Sequence, residues 1–70
     1  MKKQTFKIDG DVIELIQLLK AIGVAHTGGH AKFLVENGEV NRNGLTELRK
    51  RAKLIPGDII IIGAIQITLI

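Results

Sequence analysis

The sequence predicts one small α+β domain spanning residues 1–70, with two N-terminal helices packed on a small antiparallel β-meander and a short strand ahead of them. Three observations carry that prediction. Val12, Leu15, Ile16, Leu19 and Ile22 recur at helical spacing, as Ala31, Leu34 and Val35 do after them. Beyond Gly38 the pattern changes to short apolar runs separated by Asn43-Gly44, Pro56-Gly57 and Gly63-Ala64, all turn-forming pairs. Hydrophobic residues make up 46% of the chain, enough to demand a packed core in place of a disordered polyelectrolyte.

Taken in order, Thr5-Phe6-Lys7-Ile8 alternates polar and apolar residues as a half-buried strand does, and Gly10 ends it. Asp11 with Glu14 three residues later resembles a capping box for the first helix, which Gly23 stops. Thr27 caps the second helix, which closes near Asn37-Gly38. Val40 then begins a strand that turns at Asn43-Gly44. From Thr46 to Leu54 helical and alternating patterns compete, and the reading is extended or irregular. Pro56-Gly57 fits the centre of a type II turn leading into a strand at Ile59–Ile62. Gly63-Ala64 fits a type II′ hairpin into a last strand, Ile65–Leu69.

Seventy residues leave little room for a deep substrate cleft beside a core. There is no cysteine for a thiolate site or nucleophile and no serine, and the seven carboxylates form no evident pair, so no catalytic residue is expected. His26 and His30 stand four apart but lack a third ligand, so neither a metal nor another cofactor is expected. Asp and Lys residues interrupt any N-terminal signal-like run, and the C-terminal apolar stretch is shorter than a spanning helix needs. The expected compartment is the cytoplasm, with no membrane partner.

Charge placement says more than the total. Between Arg42 and Lys53 five cations, Arg42, Arg49, Lys50, Arg51 and Lys53, face Glu47 alone, while the rest of the chain is slightly acidic within an overall +3. Such concentration suits phosphate, and guanidinium groups bind it bidentately. The bland alternative is a solvated, solubilising surface. At the second helix, His26-Thr27-Gly28-Gly29-His30 brings two glycines to a start where free amides and the dipole favour an anion, with Lys32 close by. The alternative there is a tight path between packed helices. Only two aromatics, Phe6 and Phe33, occur, too few for a base-stacking platform, so recognition would run through charge and shape. Phe6 is assigned to the core and Phe33 to the surface.

The ordered set Leu15–Lys20, Gly23, Thr27-Gly28-Gly29-His30-Ala31-Lys32, Gly38-Glu39-Val40, Asn43-Gly44 and Pro56-Gly57-Asp58 resembles the ribosomal protein S4 type of RNA-binding domain. Glu47–Lys53 is similar to the E-x-R-[RK]-x-x-K run of its small standalone bacterial members. The resemblance implies an α-L motif, two helices making a basic face beside a β-loop, that binds structured RNA such as ribosomal RNA or tRNA, with ribosomal particles as a further candidate partner. By position it implies RNA contacts from Thr27, Gly28, Gly29, His30 and Lys32 and from Arg49, Lys50, Arg51 and Lys53. Arg42 departs from the pattern, standing where relatives are usually apolar, and is read as an extension of the basic surface.

The expected function is non-catalytic binding of structured RNA by a monomer, with DNA less favoured because neither helix carries an Arg/Asn/Gln cluster to read bases. The competing expectation is a protein-interaction or structural module, using the basic patch or an uncharged C-terminal edge strand, Ile65–Leu69.

Overall fold

Turn chemistry sets most element boundaries in the computed structural model, which describes residues Met1–Ile70. The elements run β1 (Lys2–Phe6), β2 (Ile13–Glu14), α1 (Leu15–Ala21), α2 (Gly28–Glu36), β3 (Val40–Arg42), β4 (Leu45–Thr46), β5 (Lys53–Leu54), β6 (Ile59–Ile62) and β7 (Ile65–Leu69). Asn43 and Gly44, at φ 52° and 90°, form the two-residue turn joining β3 to β4. The Asp58 amide donates to the Ile55 carbonyl at 3.1 Å across Pro56-Gly57, with Gly57 at φ 99°, as a type II turn requires. Gly63-Ala64 links β6 to β7, with positive φ confined to the glycine. Both helices end by the same device: past Gly23 and Gly38, the amides of Val24 and Glu39 reach back to the carbonyls of Leu19 and Leu34.

The fold is α+β, but its sheet is mixed and not a purely antiparallel meander. The five-stranded sheet has the order β1-β7-β6-β3-β4, and β1 lies parallel to β7 with Lys2 opposite Ile65 and Phe6 opposite Leu69. The N-terminal strand therefore begins at Lys2 and stops at Phe6, earlier than the alternation at residues 5–8 suggests; Ile8 is buried beyond it, its amide donating to the Ile70 carbonyl. The same pairing removes the expected C-terminal edge. β7 is flanked on both sides, so the sheet edges are β1 and the two-residue β4, and an edge-pairing role for Ile65–Leu69 is excluded.

The first helix is shorter than its periodicity indicates. It starts at Leu15 without the Asp11/Glu14 capping box: Glu14 is the N-cap residue and makes no side-chain cap bond. Ile13–Glu14 instead pairs antiparallel with Leu54–Lys53. The amides of Leu15 and Ile16 donate to the carbonyls of Ala52 and Lys50 at 2.9 and 3.2 Å. A distant segment thus satisfies the orphan donors that a local cap would have taken. The second helix follows the local rule, with Thr27 Oγ1 accepting from the His30 amide at 3.0 Å.

Leu15, Leu18 and Leu19 of α1, Ala31 and Val35 of α2, and Val40, Leu54, Ile60, Ile62, Ile67 and Leu69 of the strands join one buried cluster. Phe6 packs against it and Phe33 is exposed. Fully burying each Leu or Ile contributes roughly 1.5–3 kcal/mol. This core fixes α1, and α1 in turn fixes the basic segment through the two main-chain bonds at its start.

Candidate nucleic-acid interface

The segment between β4 and β5 has little regular structure, yet its backbone is tied down at several points. Besides the carbonyls of Lys50 and Ala52 held by α1, the Ala52 amide donates to the Arg49 carbonyl at 3.1 Å, closing a turn, and the Glu47 amide donates to the Val40 carbonyl at 2.9 Å. Lys53 enters β5, and its carbonyl accepts from Arg42 Nη2 at 3.0 Å. All these bonds use main-chain atoms of residues 47–53, which leaves the side chains of Arg49, Arg51 and Lys53 exposed to solvent.

Two carboxylates that the charge count treats as background organise the cations. Glu47 is buried, and its oxygens accept from Arg49 Nε at 3.1 Å, Arg49 Nη2 at 3.2 Å, the Arg49 amide at 3.1 Å and Arg42 Nη1 at 3.4 Å. Asp58, also buried, accepts from Arg42 Nη2 at 2.9 Å, Asn43 Nδ2 at 2.9 Å and the Ile55 amide at 3.0 Å. Asn43 Oδ1 closes the circuit by accepting from the Ile59 amide at 2.8 Å. Every buried side-chain polar atom has a partner, the condition under which such a network rigidifies a site.

The guanidinium of Arg42 is accordingly a tie joining β3, the basic segment and the Pro56-Gly57 turn. With its side chain 21% exposed, it also forms one wall of a hollow. That hollow, about 420 Å³, is lined by Arg42, Arg49, Arg51, Ala52 and Lys53. Four of the five basic residues expected at the site therefore converge on one concavity. Lys50 does not line it: its side chain is half-buried, and its carbonyl serves α1.

Thr27, Gly28, Gly29, His30 and Lys32 form a second group on α2, joined to the first by no hydrogen bond or ion pair. Neither glycine needs positive φ. A Cβ added at Gly28 would meet nothing within 4 Å, and one at Gly29 would meet only Thr27 Oγ1 at 3.9 Å. Close packing between helices is therefore not what these glycines serve. His26 and His30 stack with ring centroids 6.2 Å apart, and His30 and Lys32 are exposed.

A family model described as the S4 domain matches residues 6–70. The chain belongs to the S4 domain family. This confirms the family that the ordered motifs resemble. Among curated proteins this S4 domain chain is 40% identical over 45 residues to "Putative RNA-binding protein YbcJ" of Escherichia coli (strain K12). It is equally similar to "Uncharacterized protein YbcJ" of Shigella flexneri. In both cases the alignment covers 64% of this chain and 64% of the relative's length. No helix of this S4 domain chain is long and apolar enough to cross a membrane.

Glu47, Asp58 and Asn43 hold the cations of the candidate site in place, a role that sequence reasoning missed. Asn43 reads there as a turn former and Asp58 as one residue of the Pro56-Gly57-Asp58 motif, neither as a ligand of the other; their partnership spans 15 residues and has no local signature. Hydrogen bonding from Arg49 holds the Glu47 carboxyl below its ordinary range despite burial. Burial pushes the Asp58 carboxyl up, but the Ile55 amide, Asn43 and Arg42 together hold it below its ordinary range. Both groups bind protons more weakly folded than unfolded, so their stabilisation is complete above the ordinary carboxylate range and is lost as pH falls through the lowered values. Thermal melts should therefore stay level from neutrality to about pH 5 and fall steeply below about pH 4, with a shallower fall for Asp58→Asn.

Proposed function

We propose that this chain binds structured RNA, ribosomal RNA or tRNA, by gripping backbone phosphates, and carries out no chemistry of its own. The observation that carries the reading is the convergence of Arg42, Arg49, Arg51 and Lys53 on one hollow whose backbone is fixed before any ligand arrives. A preorganised backbone lowers the ordering cost of binding, and guanidinium groups match phosphate geometry. Membership of the S4 domain family and the RNA-binding name of the Escherichia coli relative support the same reading. The scarcity of aromatic side chains, two Phe and no Tyr or Trp, favours shape and charge over base stacking.

In this reading Thr27, Gly28, Gly29, His30 and Lys32 supply a second contact. The amides of Gly28 and Gly29, which the Thr27 cap leaves without a partner, meet a phosphate, and the glycines let the backbone approach closely. Gly28→Ala/Gly29→Ala separates folding from binding. The added methyl groups meet open space, so thermal stability should hold or rise slightly. RNA affinity should fall about fivefold, or ~1 kcal/mol. An unchanged affinity would remove α2 from the interface. The function itself is tested by competing folded ribosomal RNA fragments and tRNA against a duplex DNA of matched charge. Folded RNA should displace the DNA at lower concentration, and equal competition would reduce the site to a general polyanion surface.

A further inference from the structure

The hollow is wide open to solvent, and it differs from a plain solvated basic patch in the rigidity of its backbone and in its charge balance. Its volume, about 420 Å³, lies within the range of small-ligand pockets and exceeds what one phosphate group fills. A continuous duplex presents its backbone as an even ridge that crosses such a mouth. A sharply turned backbone projects phosphates, or a whole nucleotide unit, into it.

The charge around the hollow is partitioned. Arg42 is neutralised by Asp58 and shares Glu47 with Arg49, both guanidinium groups being held in place by those carboxylates. Arg51 and Lys53 have no ion-pair or hydrogen-bond partner for their side chains, so about two positive charges remain uncompensated, the charge of two successive phosphodiesters. Ala52 contributes the one small apolar stretch of wall, and Arg51 offers a planar guanidinium that can lie against a sugar or base. The backbone beneath the walls is preformed, because residues 49–53 are held by main-chain bonds to α1 and β2 and by the side chain of Arg42.

We propose that this hollow is the seat of a turned RNA backbone, so that the protein prefers RNA carrying a bulge or tight loop to a continuous RNA duplex. The proposal rests on the RNA-binding reading above and names the RNA feature that the site takes. Arg51 and Lys53 are the residues that meet the two projecting phosphates, and Arg42 and Arg49 form the wall behind them.

The test compares the full chain binding, at one stated salt concentration, a short RNA duplex containing a two-nucleotide bulge and a continuous RNA duplex with the same number of phosphates. Wild type is set beside Arg51→Ala/Lys53→Ala, both exposed side chains, with circular dichroism showing that the variant is folded. The bulged RNA should bind wild type about tenfold more tightly, and the variant should lose most of that preference while keeping weaker binding to both RNAs. Equal affinity of wild type for the two RNAs would overturn the seat while leaving RNA binding standing. A preference that survives in the variant would also overturn it, placing the discrimination elsewhere. Binding of neither RNA would remove the underlying reading together with the seat.

Discussion

Asp58→Ala is expected to lower the stability of the fold by about 3 kcal/mol, or roughly 15 °C in Tm for a domain of this size. The carboxylate accepts three hydrogen bonds, from Arg42, Asn43 and Ile55, and its side chain is 9% exposed. Truncation strands the Ile55 amide and leaves the Arg42 guanidinium with Glu47 as its remaining carboxylate, at a longer 3.4 Å. Removing one partner from a buried ion pair costs more than the pair contributes, because the remaining charge stays desolvated. Since Arg42 also holds the Lys53 carbonyl, the basic segment should loosen as well. Urea denaturation of wild type and variant measures the loss directly, and a change below about 0.5 kcal/mol would mean that the network contributes nothing to folding.

The second large effect concerns binding. Arg49→Ala/Lys50→Ala/Arg51→Ala should weaken folded-RNA binding about 30-fold at low salt, counting ~1 kcal/mol for each of the two lost contacts, those of Arg49 and Arg51. The variant should stay folded, because the bonds that shape this stretch come from the Arg49, Lys50 and Ala52 carbonyls and the Ala52 amide, which side-chain truncation leaves in place. Losing Arg49 does cost Glu47 its closest partner, so a small decrease in stability is expected beside the large loss of affinity. Circular dichroism and a thermal melt separate the two effects.

What the sequence makes legible here is local. Asn43-Gly44, Pro56-Gly57, Gly63-Ala64, Gly23 and Gly38 each require a backbone conformation that neighbouring residues alone define, and each stands where that chemistry puts it. Thr27 likewise needs only an amide three residues away. The parts that escape are pairings between distant segments. The parallel match of Lys2–Phe6 with Ile65–Leu69 leaves no mark in either strand's alternation, and it turns a supposed edge into the interior of the sheet. The start of α1 is misjudged because Asp11 and Glu14 satisfy a local rule, while the amides are taken by carbonyls of residues 50 and 52.

The basic segment is visible as a charge cluster, but its division into held and free cations is not. Arg42 lies 16 residues from Asp58, and nothing in the composition distinguishes a guanidinium tied to carboxylates from one facing solvent. The cluster thus indicates where phosphate would bind. Only the folded arrangement distinguishes Arg51 and Lys53, which have free side chains, from Arg42 and Arg49, which are held in place.

The most direct measurement of phosphate gripping is the salt dependence of binding to a folded RNA, by fluorescence anisotropy, for wild type and the Arg49/Lys50/Arg51 alanine variant. Four to six phosphate contacts predict a log-log slope of roughly −3 to −4 for wild type, and loss of the Arg49 and Arg51 contacts should make the variant's slope shallower by about 1.4. A wild-type affinity that hardly changes with salt, or a variant slope equal to that of wild type, would contradict the account.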